Sequence, residues 1–210
     1  MDVKLKVKRF DPESGAEPTY QKYEVEMPPN STVLDTLIEV REYHDGTLSL
    51  RCSCRSSICG SCAMRINGKA RLACKTQVGS VSKEGEEITV EPAGNMPVIK
   101  DLVVDMAPFW SKIRAVDPWL KPDGTPPERE YLVPNEAMSN LTEVMNCIMC
   151  GACVSDCTVL EIDKSFLGPA ALAKAYRFVG DPRDEQEMGR LRQYSEPSGM
   201  WDCTRCNFCV

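Results

Sequence analysis

One histidine, His44, is all the imidazole that 210 residues provide. That leaves little room for histidine-based acid–base chemistry, and His44 itself is expected on the surface of the N-terminal part. No stretch approaches the roughly 20 apolar residues that span a bilayer. The start, Met1-Asp2-Val3-Lys4-Leu5-Lys6-Val7-Lys8, has no apolar core of a signal peptide and reads as a strand instead. The chain is therefore expected to be intracellular, with its thiols kept reduced. No long basic run occurs and the net charge is −6, so nucleic acid is not an expected partner, whereas another protein is. No long-period repeat is present.

Cysteine is abundant: twelve residues. Disulfide frameworks belong to secreted chains, so metal ligation is the better reading, with zinc and iron–sulfur clusters as the choices. The first set is Cys54-x4-Cys59-x2-Cys62-x11-Cys74. Three ligands in a tight loop and one returning later is the plant-type [2Fe–2S] spacing. A four-cysteine zinc site would show C-x2-C pairs in both halves, and only one is present. Gly60 and Ser61 lie where the backbone must pass closest to the inorganic core. Cys52 falls outside the pattern and reads as a free or buried thiol.

The second set, Cys147-x2-Cys150-x2-Cys153-x3-Cys157, is the bacterial ferredoxin run, in which the fourth cysteine serves the other cluster. The partner run is Cys203-x2-Cys206-x2-Cys209. The chain ends at Val210, inside this motif, and the sequence is expected to be truncated there.

Hydrophobic periodicity frames these motifs. Val3, Leu5 and Val7, then Tyr23, Val25 and Met27, alternate as strands. Ser31 or Thr32 can cap a short helix carrying Val33, Leu34, Leu37, Ile38 and Val40. Ala63 to Ile66 and Glu87 to Glu91 read as further strands, giving a β-grasp sheet on one helix. Ile99, Leu102, Val103, Met106, Phe109, Trp110 and Ile113 recur at helical spacing. Prolines 118 to 134 then break regular structure, and Pro169 can start a helix that Gly180-Asp181-Pro182 stops. The expected fold is α+β: a β-grasp plant-type ferredoxin-like domain (1–97), a helix and Pro-rich linker (98–140), and a helical bacterial-ferredoxin-like domain binding two cubane-type clusters (141–210).

Cys54-Arg55, Cys59-Gly60-Ser61-Cys62, Ile66-Asn67-Gly68, Leu72-Ala73-Cys74-Lys75-Thr76, Asp101-Leu102-Val103-Val104-Asp105-Met106 and Gly168-Pro169-Ala170-Ala171-Leu172 through Phe178 carry a family likeness. With the two ferredoxin spacings, the chain resembles the iron–sulfur subunit of succinate dehydrogenase and fumarate reductase, respiratory complex II, from near residue 1 to its end. The resemblance implies an FAD-containing flavoprotein partner, membrane-anchor subunits with quinone, and a peripheral place on the cytoplasmic face of the prokaryotic inner membrane. It implies that Cys54, Cys59, Cys62 and Cys74 hold [2Fe–2S]. It implies that Cys147, Cys150 and Cys153 hold [4Fe–4S] with a fourth ligand beyond residue 210, and that Cys157, Cys203 and Cys209 hold a third cluster. That third cluster is [3Fe–4S] in familiar members, which have no cysteine where Cys206 stands; with Cys206 it could be [4Fe–4S]. Familiar members have Pro at Thr158, Trp near Ile162 and often His at Thr204, so quinone contacts do not transfer residue by residue. A soluble thiol-linked fumarate reductase, and a zinc-stapled structural module, are the competing readings.

Overall fold

Lysines alternate with Val3, Leu5 and Val7 because one face of their strand meets the core and the other meets water. The computed structural model describes residues 1–83, 85–123 and 127–209. In chain order the elements are β1 (Asp2–Arg9), β2 (Thr19–Glu26), α1 (Val33–Glu39), β3 (Ala63–Ile66), β4 (Lys69–Leu72), α2 (Val78–Val81), β5 (Glu87–Glu91), β6 (Val98–Lys100), β7 (Val103–Val104), α3 (Ala107–Ala115), α4 (Asn135–Met145), α5 (Ala152–Ser155), α6 (Thr158–Ile162), α7 (Pro169–Val179) and α8 (Glu187–Tyr194). Two compact units form: Met1–Met106 with Ile148–Asp156, and Ala107–Cys147 with Cys157–Val210.

In the first unit five strands run in the order β2-β1-β5-β3-β4. β1 and β5 are parallel, setting Leu5 beside Ile88 and Val7 beside Val90; the other pairings are antiparallel. This is the mixed sheet of a ferredoxin-like β-grasp. All four of those side chains are fully buried, and they share one core with Leu34, Leu37, Met64 and Ile66. Each such side chain contributes about 1.5–3 kcal/mol. Thr32, not Ser31, caps α1: its hydroxyl accepts from the Asp35 amide at 3.2 Å, and the Asp35 carboxylate accepts from the Thr32 amide at 2.9 Å. Such a reciprocal box is worth about 1 kcal/mol. α1 widens at Val40–His44, closed by Asp45 N–H to the Val40 carbonyl at 2.7 Å. His44 is exposed.

The helical spacing from Ile99 is corrected by the structure. Residues 98–104 form the β6–β7 ribbon, and the helix begins only at Ala107. The cause is Asp101, which takes a left-handed conformation (φ 45°) and buries its carboxylate. That carboxylate accepts from Arg9 Nε at 2.9 Å, the Phe10 amide at 3.0 Å and the Ser49 amide at 2.8 Å. A buried carboxylate with three donors outweighs the intrinsic preference of its neighbours.

In the second unit α7 packs with α3, α4 and α8. Pro169 occupies the first turn of α7, where its missing N–H has no consequence. Gly168 has φ +84°, and a Cβ there would sit 2.8 Å from Leu160 Cδ1. Arg190 is buried. It grips Asp184 through two bonds of 3.0 and 2.8 Å and donates to the carbonyls of Val116, Asp117 and Trp119 at 3.1, 2.9 and 2.7 Å. Asp181, also buried, accepts from Arg183 at 2.8 and 2.7 Å and from Arg177.

Arg190→Lys keeps the charge but loses the planar fork, so carbonyls and one carboxylate oxygen are left without donors. A loss of about 3 kcal/mol is expected in urea unfolding; an unchanged midpoint would refute the role given to the guanidinium. Asp181 sets a pH dependence. Its bonds to Arg183, then Arg177, hold its carboxyl well below the usual carboxylate range. A lowered folded-state pKa contributes stability above the ordinary value of about 3.9 and loses it as pH falls further. Stability should drop between about pH 5 and pH 2, with a shallower slope in Asp181→Asn, measured as urea midpoint against pH.

Candidate iron–sulfur sites

Residues 51–62 form no helix or strand, because the loop is shaped around sulfur rather than around its own hydrogen bonds. Arg55, Ser57 and Gly60 take left-handed conformations (φ 54°, 61° and 72°). Interspersing such residues turns successive amides toward one concavity, which suits anionic sulfur. The amides of Ser56, Ile58 and Cys59 all point at Cys54 Sγ, at 3.3, 3.4 and 3.3 Å. The Cys54 amide faces Cys59 Sγ and the Cys74 amide faces Cys62 Sγ, each at 3.5 Å.

The sheet sets the distance between the last two thiols. Cys62 directly precedes β3 and Cys74 follows β4, and these strands pair Ala63 with Leu72. A bond from the Ala73 amide to the Cys62 carbonyl, 3.0 Å, extends the ladder. Bonds from Ser61 and the loop amides bring Cys59 down to about 6, favouring thiolate at neutral pH. Burial, with the nearby charges of Cys74 and Cys59, pushes Cys62 up to about 11. Hydrogen bonds thus pair Cys54 with Cys59 and Cys62 with Cys74. Cys52 is half-buried and packs against the apolar core.

Cys150 and Cys153 stand in the segment that joins the first unit. It is tied down by Gly94 N–H to Ser155 Oγ (2.8 Å), Asn95 Nδ2 to the Val154 carbonyl (2.8 Å) and Ala70 N–H to Asp156 (2.8 Å). A Cβ on Gly60 would lie 2.8 Å from both Cα and Cβ of Cys150. Glycine at 60 is thus demanded twice, by its φ and by this close approach. Cys147 follows α4 in the second unit.

The third set lies within the second unit. Cys157 is buried at the start of α6, while Cys203, Cys206 and Cys209 follow a short 3₁₀ turn and are exposed. Although Cys209 is exposed as a residue, partial desolvation raises its thiol, and the charges of Cys157, Cys203 and Cys206 act in the same direction. Thr158 Oγ1 donates to Cys206 Sγ at 3.4 Å. This bond, with the Phe208 amide, lowers the Cys206 thiol. The left-handed residues and the Thr158 donor went unforeseen in the sequence. Asn207 and Gly151 are of types that adopt such conformations readily, but Arg55, Met149 and Arg205 carry no such mark.

Among the described residues, which include all twelve cysteines, no disulfide forms. No three His, Cys, Asp or Glu side chains among them close on one ion-sized point. Cluster thiolates stand further apart than ligands of a single ion, since sulfide-bridged irons lie between them. A donor set of thiols alone, amides aimed at sulfur and glycine at the tightest approach fits such a group.

Comparison with known proteins agrees. A family described as "2Fe-2S iron-sulfur cluster binding domain" matches residues 4–111, and one described as "4Fe-4S dicluster domain" matches residues 143–210. The fumarate reductase iron–sulfur subunit of Mycobacterium tuberculosis is 39% identical over 209 residues, covering 99% of this chain and 84% of the relative. Its Haemophilus influenzae counterpart is 33% identical over 219 residues, with the same coverage of 99% and 84%. A chain of the Mycobacterium smegmatis Sdh1 complex in the apo form superposes with TM-score 0.73 at 32% identity, covering 90% of this chain and 80% of that one. Together these place the chain in the family of fumarate reductase and succinate dehydrogenase iron–sulfur subunits, whose members join a ferredoxin-like [2Fe–2S] domain to a [4Fe–4S] dicluster domain.

Proposed function

We propose that this chain carries electrons between a succinate-oxidising or fumarate-reducing flavoprotein subunit containing FAD and quinone held by membrane-anchor subunits. In this reading Cys54, Cys59, Cys62 and Cys74 hold [2Fe–2S], Cys147, Cys150 and Cys153 contribute to [4Fe–4S], and Cys157, Cys203 and Cys209 hold the third cluster. The three modules follow the chain as residues 1–97, 98–140 and 141–210. When bound, the clusters supply one-electron steps between two two-electron partners. The protein's part is to fix spacing and to set potentials through hydrogen bonds and burial.

The observation that carries this reading is the contact of Gly60 with Cys150. It brings a ligand of the second set against the backbone of the first ligand loop, as a conductor requires and a storage or structural site does not. Ile58, 70% exposed on that loop beside exposed Cys59, supplies an apolar contact for the flavoprotein. Around the third set, Ile162, Trp201 and Phe208 are exposed at 90%, 68% and 64%. Large apolar side chains on the elements bearing that set favour a membrane-anchored complex over a soluble reductase. No helix among the described residues is long and apolar enough to cross a membrane. In this reading the chain is held by the anchor subunits as a peripheral subunit at the cytoplasmic face of the inner membrane of a prokaryote.

Cys59→Ala in the assembled complex should abolish the reduced [2Fe–2S] paramagnetic signal and drop succinate-to-quinone transfer to background. Succinate oxidation with an artificial acceptor at the flavin should persist. Normal quinone reduction in this variant would sink the assignment. Cys52→Ser should leave every cluster signal intact and shift unfolding by no more than about 1 kcal/mol; loss of the [2Fe–2S] spectrum would instead make Cys52 a ligand.

A further inference from the structure

The loop 203–209 repeats the left-handed positions of 147–153. In each, the residue before the middle cysteine and the residue after it are left-handed: Met149 and Gly151 at φ 58° and 77°, Arg205 and Asn207 at 55° and 61°. Both loops also share the C-x2-C-x2-C spacing. Cys206 therefore holds the place in its loop that Cys150 holds in the other. In a bacterial ferredoxin run the middle cysteine of each triplet is a cluster ligand.

The sulfur of Cys206 also sits on the third site. Thr158 directly follows Cys157, and its hydroxyl donates to Cys206 Sγ at 3.4 Å. Thr158, next to Cys157, and Cys206 are thus in contact with one another.

From this geometry we infer that Cys206 is a fourth thiolate ligand of the third site, alongside Cys157, Cys203 and Cys209, so that the site binds a complete [4Fe–4S] cube rather than [3Fe–4S]. A cube missing one corner iron results where one corner lacks a ligand, and here the ligand is present. Completing the cube replaces a three-iron couple with a four-iron couple and so changes the potential of the site, while the Thr158 hydroxyl bond on sulfur raises it. The inference rests on the reading of the three cysteine sets as cluster ligands.

The test uses the assembled complex, isolated without oxygen and treated with ferrous iron and a thiol reductant. An oxidised three-iron cluster is paramagnetic, whereas an oxidised four-iron cube is not. Wild type is expected to show no three-iron signal when oxidised, and Cys206→Ser to show it at full stoichiometry, with one iron fewer per chain. Cys206 is exposed, so the substitution leaves the core alone. Thr158→Val provides a second arm: it should keep all four irons and move the midpoint potential of that cluster downward. A persistent full three-iron signal in wild type, unchanged by Cys206→Ser, overturns the inference. The reduced [2Fe–2S] signal separates the two levels: its absence from wild type defeats the reading of the cysteine sets, while its presence beside a three-iron signal defeats only the role of Cys206.

Discussion

Several thiolates must be brought around a small inorganic core while the main chain stays close enough to aim its amides at them. Everything else in the first unit follows from this requirement. An ordinary helix or strand spends its N–H groups on its own carbonyls, so a ligand loop must abandon both. The loop does so with left-handed residues at 55, 57 and 60, which free three amides for one sulfur, that of Cys54. Such a backbone has little stability of its own and needs a rigid support. The support is the β3–β4 hairpin, which carries Cys62 and Cys74 at its open end, fastened to a core of fully buried Leu5, Val7, Ile88 and Val90.

The second unit meets the same requirement with a smaller apolar core and more charge. Phe109, Ile113, Leu141, Leu160, Phe166 and the alanines of α7 form its apolar interior. Around it, Arg190, Asp184 and Asp181 are buried and fully engaged. Lys112 serves similarly: its ammonium donates to the carbonyls of Lys164 (2.7 Å) and Phe166, and its burial lowers its pKa. Charged donors thus do for irregular chain what strand ladders do in the first unit.

Cysteine spacing and strand alternation made the cluster motifs and the β-grasp legible in the sequence, since both are local patterns with a fixed physical meaning. Ala63–Ile66 and Glu87–Glu91 are strands with the expected bounds, and Pro169 does open α7. The failure at 98–104 has a clear origin. Apolar residues at helical spacing are compatible with a short ribbon, and the decision rests with Asp101, whose partners Arg9 and Ser49 lie 92 and 52 positions away. Long-range pairing of that kind leaves no trace in a local window. The left-handed arginines and methionine of the ligand loops were hidden for the same reason: sulfur and sheet, not residue type, impose their conformation.

Arg190 has a consequence for how the stretch between α3 and Lys121 can vary. Three of its contacts are main-chain carbonyls, those of Val116, Asp117 and Trp119. A carbonyl is the same whichever side chain it carries. The guanidinium therefore measures the course of the chain and is blind to its spelling. Substitutions along 116–119 are tolerated as far as these bonds are concerned, whereas inserting or deleting a single residue puts the wrong oxygens, or none, in front of a buried cation. The ruler in the protein interior constrains length where it leaves composition free.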